Sequence, residues 1–366
     1  VSAHGFGHMA QAAAVINALD HHLPDLQVTI RTDLPDDLIA ERVAGPYTRI
    51  QARLDPGMVM ADALTVRPEA TLQAYADFHT NWPERVAAEA RELASLAPDL
   101  VLADVPYLSV AAAHHAGIPA VALCSLDWSG VLAAYCGHLS GTAAIRADIE
   151  AAYARAVAFL QPRPHMAMPY LPNCREIGPI ATPAPGVPGE LRARLPAAQR
   201  LGLVSLGGLP FDLPLAQWPR LADTLWIVAG EAPDRNDMLS LAATGMSHMA
   251  VMAAADVVVT KAGYATLVEA AVQGAGILYL PRGDWPEEPA MADWLADSSS
   301  LPEFIREILF GDVIAGQNVI DPKFVRGLVE NVTAEGIGPQ TLVSEADRLF
   351  SVIIFTIWYH EMIAST

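Results

Sequence analysis

Residues 1–9 of the chain read VSAHGFGHM, and this order of residue types predicts a strand that turns into a helix. Val1–Ala3 is typical of the end of a strand, and Met9–Leu19 is an apolar, alanine-rich helix. The Gly-x-Gly between them exposes backbone N–H groups at the positive end of the helix, where anions bind. Ala10 stands where a dinucleotide-binding motif has its third glycine, so the Gly-x-Gly alone is weak evidence.

Two histidines, His4 and His8, flank this turn. An imidazole with a pKa of about 6.5 at the mouth of a cleft suits a general base. Asp104 follows the predicted buried strand Asp99–Ala103 and can orient such a histidine and stabilise its imidazolium. Two alternatives stay open: the histidines cap local backbone, and Asp104 caps the next helix.

A second anion-binding turn is predicted within Asp256–Ala270. A β-branched strand ends in Lys261 and Gly263, and a helix begins with Thr266 in its first turn, so N–H groups, a hydroxyl and an ammonium meet. The chain has two lysines and 20 arginines, which favours a specific role for Lys261. Glu269 can accept hydrogen bonds from ribose hydroxyls; the alternative is a solvated helix glutamate.

The next loop, Leu280–Pro289, places carboxylates among prolines. Glu287 and Glu288 suit hydrogen bonds to sugar hydroxyls, and plain surface charge is the alternative. His248 and the methionines near it, in contrast, are expected to serve packing.

Strands and helices alternate along residues 1–297, which predicts parallel sheets covered by helices on both faces. The predicted strands, after the first, are Leu26–Arg31, Asp99–Ala103, Ala120–Leu123, Leu201–Ser205, Leu225–Ala229, Val257–Thr260 and Ile277–Leu280. The predicted helices, after the first, are Trp82–Leu96, Ser109–Ala116 and Tyr264–Gln273. Residues 161–198 are dense in proline and are interpreted as an interdomain connection.

The fold class expected is therefore α/β, with two Rossmann-like domains facing a cleft. We predict an N-terminal domain at 1–178 and a C-terminal domain at 179–297. A compositionally distinct helical tail is predicted at 298–366. The frequency of alanine falls from 60 in the 300 residues 1–300 to 4 in the 66 residues 301–366, while that of isoleucine rises from 11 in 300 to 9 in 66. This change in composition near residue 300 favours a tail of separate origin over an ordinary C-terminal subdomain.

Composition excludes several classes of protein. The 366 residues are 52% hydrophobic and carry a net charge of −19, which argues against disorder and against nucleic acid as a partner. Three scattered cysteines indicate neither a disulfide framework nor a C-x-x-C metal site. No membrane span or signal peptide is visible, so a cytoplasmic protein is expected.

Together these motifs resemble the GT-B glycosyltransferases, most specifically the glycosyltransferase-like domain at the N-terminus of plant L-arabinokinases and its stand-alone bacterial relatives. Those proteins begin Gly-His-Gly-Phe-Gly-His, which Ala3–His8 matches. Their Lys-x-Gly-Tyr-Gly-Thr-x-x-Glu-Ala segment is similar to Lys261–Ala270, and their Glu-Glu-Pro loop to Glu287–Pro289. Asp55–Thr71 also resembles them, and the resemblance covers about residues 1–297.

The resemblance implies roles for individual positions. It makes His8 the candidate base and Asp104 the carboxylate that supports it. It gives Thr266 and the Gly263 backbone to the donor diphosphate, and Glu269 to the ribose.

It also implies that Glu287 and Glu288 read the donor sugar. The other substrate-binding positions that it implies are His4, Gly5, Gly7, Asp62, Lys261 and Tyr264. The sequence departs from the pattern at Lys261, a histidine in the plant glycosyltransferases, and at Ala265, a glycine in the closer group. The family's C-terminal helices do not follow Leu295, and the start without methionine is typical of a fragment.

The activity implied is a glycosyltransferase that moves a sugar from a nucleotide-diphosphate donor, a UDP-sugar, to an acceptor hydroxyl. The partners expected are this donor and a small-molecule or glycan acceptor. No cofactor and no metal are expected, since backbone dipoles and Lys261 can stabilise the leaving diphosphate. Two alternatives stay open: a noncatalytic nucleotide-sugar-binding or regulatory module, and an inactive product of a truncated or joined gene.

The tail has a faint likeness of its own, to the C-terminal end of asparagine-synthetase-type amidotransferases, through residues such as Leu301–Ile305 and Trp358. Its predicted helix, Ala346–Met362, is apolar almost all round, so burial or association through this helix is expected.

Overall fold

The structure is a computed structural model, and it describes residues 1–296 except 24, 183–187, 197–199, 208–212, 219 and 222. The predicted tail at 298–366, with its apolar helix and its amidotransferase likeness, lies outside the described residues. None of the described helices is both long enough and apolar enough to cross a membrane.

The N-terminal half contains six strands and seven helices among its described residues. The strands are β1 (Val28–Arg31), β2 (Tyr47–Ile50), β3 (Val101–Ala103), β4 (Ala120–Leu123), β5 (Ala158–Pro162) and β6 (Cys174–Ile177). The helices are α1 (Phe6–His22), α2 (Asp36–Arg42), α3 (Pro68–His79), α4 (Trp82–Leu96), α5 (Tyr107–His115), α6 (Trp128–Cys136) and α7 (Thr142–Tyr153).

Strands β3–β4–β5–β6 form one parallel sheet, and β1–β2 form a second. The first residues lie between the two sheets, because the Val1 amino group donates to Arg31 O at 2.8 Å and Ser2 N donates to Asp104 O at 2.7 Å. The prediction that Val1–Ala3 is a strand is wrong as an assignment, since these two bonds do not make a ladder. Residues 1–3 nevertheless lie between the ends of β1 and β3, where a strand joining the two sheets would lie.

The described residues of the C-terminal half form one parallel sheet of five strands in the order β11–β10–β7–β8–β9. Its strands are β7 (Arg200–Val204), β8 (Thr224–Val228), β9 (Met238–Ser240), β10 (Val257–Lys261) and β11 (Gly276–Leu280). Its helices are α8 (Pro188–Arg192), α9 (Leu241–Thr244), α10 (His248–Ala254), α11 (Tyr264–Val272) and α12 (Glu288–Ala296), with a 3₁₀ turn at Leu215–Gln217.

Burial explains why these segments form strands and helices. All five residues of β8 are buried, as expected for a central parallel strand covered on both faces. Helix α5 has little amphipathic character because most of it packs inside, against α4 and α7. One apolar cluster runs from the N-terminal half into Leu267 of α11 and Trp285, so the halves share a packed core.

The first predicted helix, Met9–Leu19, lies within α1 but is three residues short at each end. The later predicted elements lie within two residues of the observed bounds, and α4 and β4 have those bounds, while elements such as α2, β2 and α3 were not predicted. The interpretation of 161–198 as a connection is wrong in part, because Cys174–Ile177 pairs in parallel with β5. This edge strand contains no proline, and Pro162 lies at the end of the neighbouring strand β5, opposite Ile177. The domain boundary at 178 stays a prediction.

Candidate functional site

A cavity of about 520 Å³ lies where the carboxyl ends of strands from both halves meet. This is where parallel α/β sheets usually bind ligands. Its lining includes predicted site residues and others that were not predicted: His4, Gly5, Gly7, His8, Gln11, Glu41, Arg42, Ser125, Ser205, His248, Lys261, Gly263, Tyr264, Thr266, Arg282, Trp285 and Glu287.

Two helices direct their N-termini into this cavity. Gly5 precedes α1 and Gly263 precedes α11, and neither helix has a side-chain cap in its first turn. The helices approach so closely that a Cβ placed on Gly7 would lie 3.7 Å from Cβ of Ala265. Unpaired N–H groups at both helix ends therefore create positive potential on one cavity.

His8 and Asp104 are brought together beside the start of α1. Nδ1 of His8 lies 3.0 Å from Oδ1 of Asp104, and both side chains are buried. A carboxylate accepts, so we assign the proton to Nδ1, which leaves the Nε2 lone pair free. Asp104 does not cap α5, whose N-cap is Pro106, so the capping alternative for Asp104 is wrong.

Three buried carboxylates set the charge of His8. Burial alone lowers the pKa of His8, but Asp104, Asp55 and Glu287 outweigh burial, and the pKa is raised. Burial raises the pKa of each of the three acids in turn. His8 and the three acids therefore each have a higher pKa than the same side chain free in water.

Asp55 was not predicted as a site residue, although it begins the stretch Asp55–Thr71 on which the resemblance partly rests. Its Oδ1 accepts a hydrogen bond from Ser2 Oγ at 3.0 Å, and the Trp128 side chain also hydrogen-bonds to this carboxylate. A lone aspartate before Pro56 carries no signal of its own in the sequence, because only the fold brings it near His8.

Cys124 is the third group at the His8–Asp104 pair, with Sγ 3.7 Å from Nδ1 of His8. Ligand atoms of these three residues lie within 4.8 Å of one another, a spacing that could hold a metal ion. The Nδ1 atom of His8 is occupied by its hydrogen bond to Asp104, and burial together with Asp104 raises the pKa of the Cys124 thiol well above its ordinary value. We therefore interpret the three as a hydrogen-bonded group, and the expectation of a metal-free site stays a prediction.

His4 lies opposite as a neutral side chain. Met58 N–H donates to its Nδ1 at 3.1 Å, which places the proton on Nε2. Burial, with the nearby cations His8, Arg282 and Lys261, lowers the pKa of His4 to about 3. The side chain of His4 thus bonds to backbone, but to the distant residue Met58 and not to its own turn, which differs from the local capping weighed as an alternative.

Lys261 reaches across the cavity from the end of β10. Its Nζ donates to Ala63 O at 3.1 Å, and burial together with Arg282 lowers its pKa to about 8. Thr266 lines the same cavity from the first turn of α11. Tyr264 also lines it, but its hydroxyl accepts from Ile180 N at 2.8 Å and donates to Arg163 O at 3.2 Å.

Three predicted ligand carboxylates make contacts within the protein instead. Glu269 is 2% exposed and accepts from Arg42 Nη1 at 2.5 Å, so the solvated alternative is wrong. Glu288 Oε2 accepts from the backbone N–H groups of Arg282 and Gly283, at 2.8 and 3.1 Å. Asp62 caps its own turn and lines a neighbouring cavity of about 900 Å³.

Glu287 does face the main cavity, and it is 2% exposed, so surface charge is wrong for it as well. Its Oε2 accepts from Trp285 Nε1 at 3.1 Å. Ser125, which also lines the cavity, hydrogen-bonds to the same carboxylate, and both bonds lower its pKa against the larger effect of burial.

His248 corrects another expectation. Its methionine neighbours are buried as predicted, but His248 itself lines the cavity, with Nε2 2.9 Å from Ser205 Oγ. Burial and Arg42 lower its pKa to about 4. A histidine among methionines at the start of a helix is typical of packing, so no pattern along the chain marks this position as part of a site.

No family model matches the chain. Over 329 residues it is 26% identical to L-arabinokinase of Arabidopsis thaliana, a match that covers 87% of this chain and 31% of that protein. The chain thus spans about a third of the length of this curated relative.

Three solved structures superpose on the chain, each with a TM-score of 0.51. They are Phytolacca americana UGT2 with UDP-2-fluoroglucose and pterostilbene (14% identity, 95% of this chain and 98% of that one), the glycosyltransferase of kitacinnamycin (17%, 100% and 97%), and a variant of Os79 from O. sativa with UDP (13%, 94% and 97%). The chain has the GT-B fold. The GT-B likeness predicted from the sequence is confirmed, and at these identities it establishes the fold alone.

Proposed function

We propose that the chain transfers a sugar from a nucleoside-diphosphate donor to an acceptor hydroxyl. One observation carries the proposal: His8, paired with Asp104, lines the same cavity as Lys261, Thr266 and the uncapped start of α11. A base and an anion-binding helix end within one cleft are the two parts that this reaction needs. UGT2 and Os79, which share the fold, were crystallised with UDP-2-fluoroglucose and UDP.

The proposed step is a single displacement. His8 Nε2 takes the proton of the acceptor hydroxyl as its oxygen forms a bond to the anomeric carbon. The bond from that carbon to the β-phosphate oxygen breaks, and the diphosphate leaves with the electron pair. Asp104 keeps His8 in the required tautomer and stabilises the imidazolium. Attack opposite the leaving group inverts the anomeric configuration.

The leaving diphosphate needs stabilisation in a protein whose net charge is −19. Lys261 supplies an ammonium, Thr266 a hydroxyl, and the first turn of α11 supplies N–H groups. These fixed groups act where charge develops, so the proposed reaction requires no metal and no further cofactor. UDP as the nucleotide and the cytoplasm as the compartment are parts of this proposal.

The experiment has two readouts on the full chain. Calorimetry with UDP measures donor binding, and release of UDP from UDP-sugars, with mass spectrometry of an acceptor panel, measures transfer. We expect binding and turnover together. Binding without turnover would contradict the proposal and favour a noncatalytic module, while no binding at all would remove the nucleotide-sugar assignment.

A further inference from the structure

Arg282 lies in the turn after β11 and lines the main cavity. Its Cζ lies 3.7 Å from the ring centroid of Trp285, and Trp285 stacks in turn on His4 at 6.4 Å between centroids. Glu288 fixes the turn by accepting the backbone N–H groups of Arg282 and Gly283. The guanidinium is thus held in place by packing and by its backbone.

Two of the three guanidinium nitrogens nevertheless lack hydrogen-bond partners. Its Nε and Nη2 are buried and have no hydrogen-bond partner within the part of the chain that the structure describes. Three nearby acids favour its charge without a recorded hydrogen bond to Nε or Nη2: Asp284 accepts from Tyr135 Oη at 2.7 Å, Glu287 from Trp285 Nε1, and Glu288 from the turn backbone. Buried charged groups are normally paired, so an unpaired one beside a cavity marks a place where an anion binds.

The nearness of Lys261 also favours anion binding at Arg282. Arg282 and Lys261 lie close enough that each disfavours positive charge nearby: Arg282 contributes to the lowered pKa of Lys261, and both contribute to that of His4. Two repelling cations on one cavity are stabilised together by a ligand that carries more than one negative charge.

We infer that Arg282 is a second oxyanion-binding group of the cleft, which takes an oxyanion of the donor alongside Lys261 and α11. The inference rests on the proposed function. Two groups of a nucleotide sugar have this chemistry, the β-phosphate and the carboxylate of a uronic acid, and a guanidinium binds either through paired N–H groups.

The test compares Arg282→Gln with the wild-type chain by calorimetry against UDP, UDP-glucose and UDP-glucuronate. Arg282→Lys keeps the charge, and Arg175→Gln, an exposed arginine of β6, is the matched control. Near-ultraviolet circular dichroism checks that Trp285 keeps its surroundings. We expect Arg282→Gln to weaken binding about 10-fold or more, as for loss of a charged hydrogen bond, with partial recovery in Arg282→Lys.

The pattern of loss identifies the oxyanion. Equal weakening of all three ligands assigns it to the diphosphate, and weakening of UDP-glucuronate alone assigns it to the sugar carboxylate. Unchanged affinity for all three in folded Arg282→Gln would overturn the inference. If the wild-type chain binds none of them, the proposed function fails by itself; inorganic pyrophosphate then tests the site, and equal binding by wild type and Arg282→Gln would overturn it.

Discussion

The tautomer and the pKa of His8, the candidate base, are set by its neighbours. Its two ring nitrogens have separate tasks: Nδ1 faces Asp104 at 3.0 Å, and Nε2 is free for a hydroxyl. The partner could be predicted, because an aspartate at the end of a buried strand must lie at the same sheet edge as a turn after a neighbouring strand. Asp55 and Glu287, which also act on the pKa of His8, could be placed there only by the fold.

Asp104→Asn tests the pair. A base must be deprotonated, so with a raised pKa of His8 we expect turnover to rise with pH through an inflection above 6.5. Asparagine removes the charge that holds this pKa up, so the inflection moves to lower pH and turnover falls about 100-fold or more. The pH profile of kcat measures both; an unmoved inflection would mean that His8 is not the group that titrates.

Lys261 is expected to make UDP binding weaker at high pH. Its pKa of about 8 means that the ammonium is present below this pH and is lost above it, so affinity for UDP falls as pH rises through 8. Lys261→Met should bind UDP about 10-fold more weakly at pH 7 and lose this decline. Lys261→Arg, charged at every pH used, should retain affinity at pH 7 and also lose the decline. Calorimetry across pH 6–9 would contradict the account if Lys261→Met kept the wild-type curve.

Gly57 holds the loop against His4. Its φ is +62°, and a Cβ there would lie 2.8 Å from Nδ1 of His4. Gly57→Ala should therefore lower the free energy of unfolding by about 1–3 kcal/mol. Gly178→Ala, where a Cβ meets nothing within 4 Å, is the control. Urea titration measures both variants, and equal stabilities would show that the loop adapts without cost.

At the scale of elements, the opposed starts of α1 and α11 define the site. The glycine turn and the alanine-rich helix of each unit were predictable from the sequence, and so was β10 before the second, whereas Val1–Ala3 before the first forms no strand. The mutual approach of the two units was not predictable, because it depends on how two separately predicted units pack. The same limit applies to β6, whose four residues carry no strong strand pattern.

Helices α2 and α11 are joined across the cleft by Arg42 and Glu269, whose side chains are 11% and 2% exposed. Arg42→Met leaves a buried carboxylate unpaired and should cost about 3 kcal/mol of unfolding free energy. The double variant with Glu269→Met removes both charges and should recover most of this loss. Chemical denaturation of the two single variants and the double variant gives the coupling; purely additive losses would contradict a direct ion pair.

At the scale of the whole molecule, a strongly acidic chain concentrates cations where it needs them. Arg42, Lys261 and Arg282 line one cavity, and two helix N-termini add their partial charge. Composition could predict that phosphate recognition would be local, since bulk charge repels it. It could not predict that Glu269 would bond to Arg42, because ion pairs between distant segments leave no pattern along the sequence.

The central claim is that His8 is the base of a nucleotide-sugar transferase. His8→Ala, with His22→Ala at the exposed end of α1 as control, tests it in one experiment. We measure UDP affinity by calorimetry and UDP release from a UDP-sugar under turnover. The account predicts that His8→Ala binds UDP nearly as wild type does and loses turnover by about 100-fold or more. Turnover equal to that of the wild type in His8→Ala would contradict it.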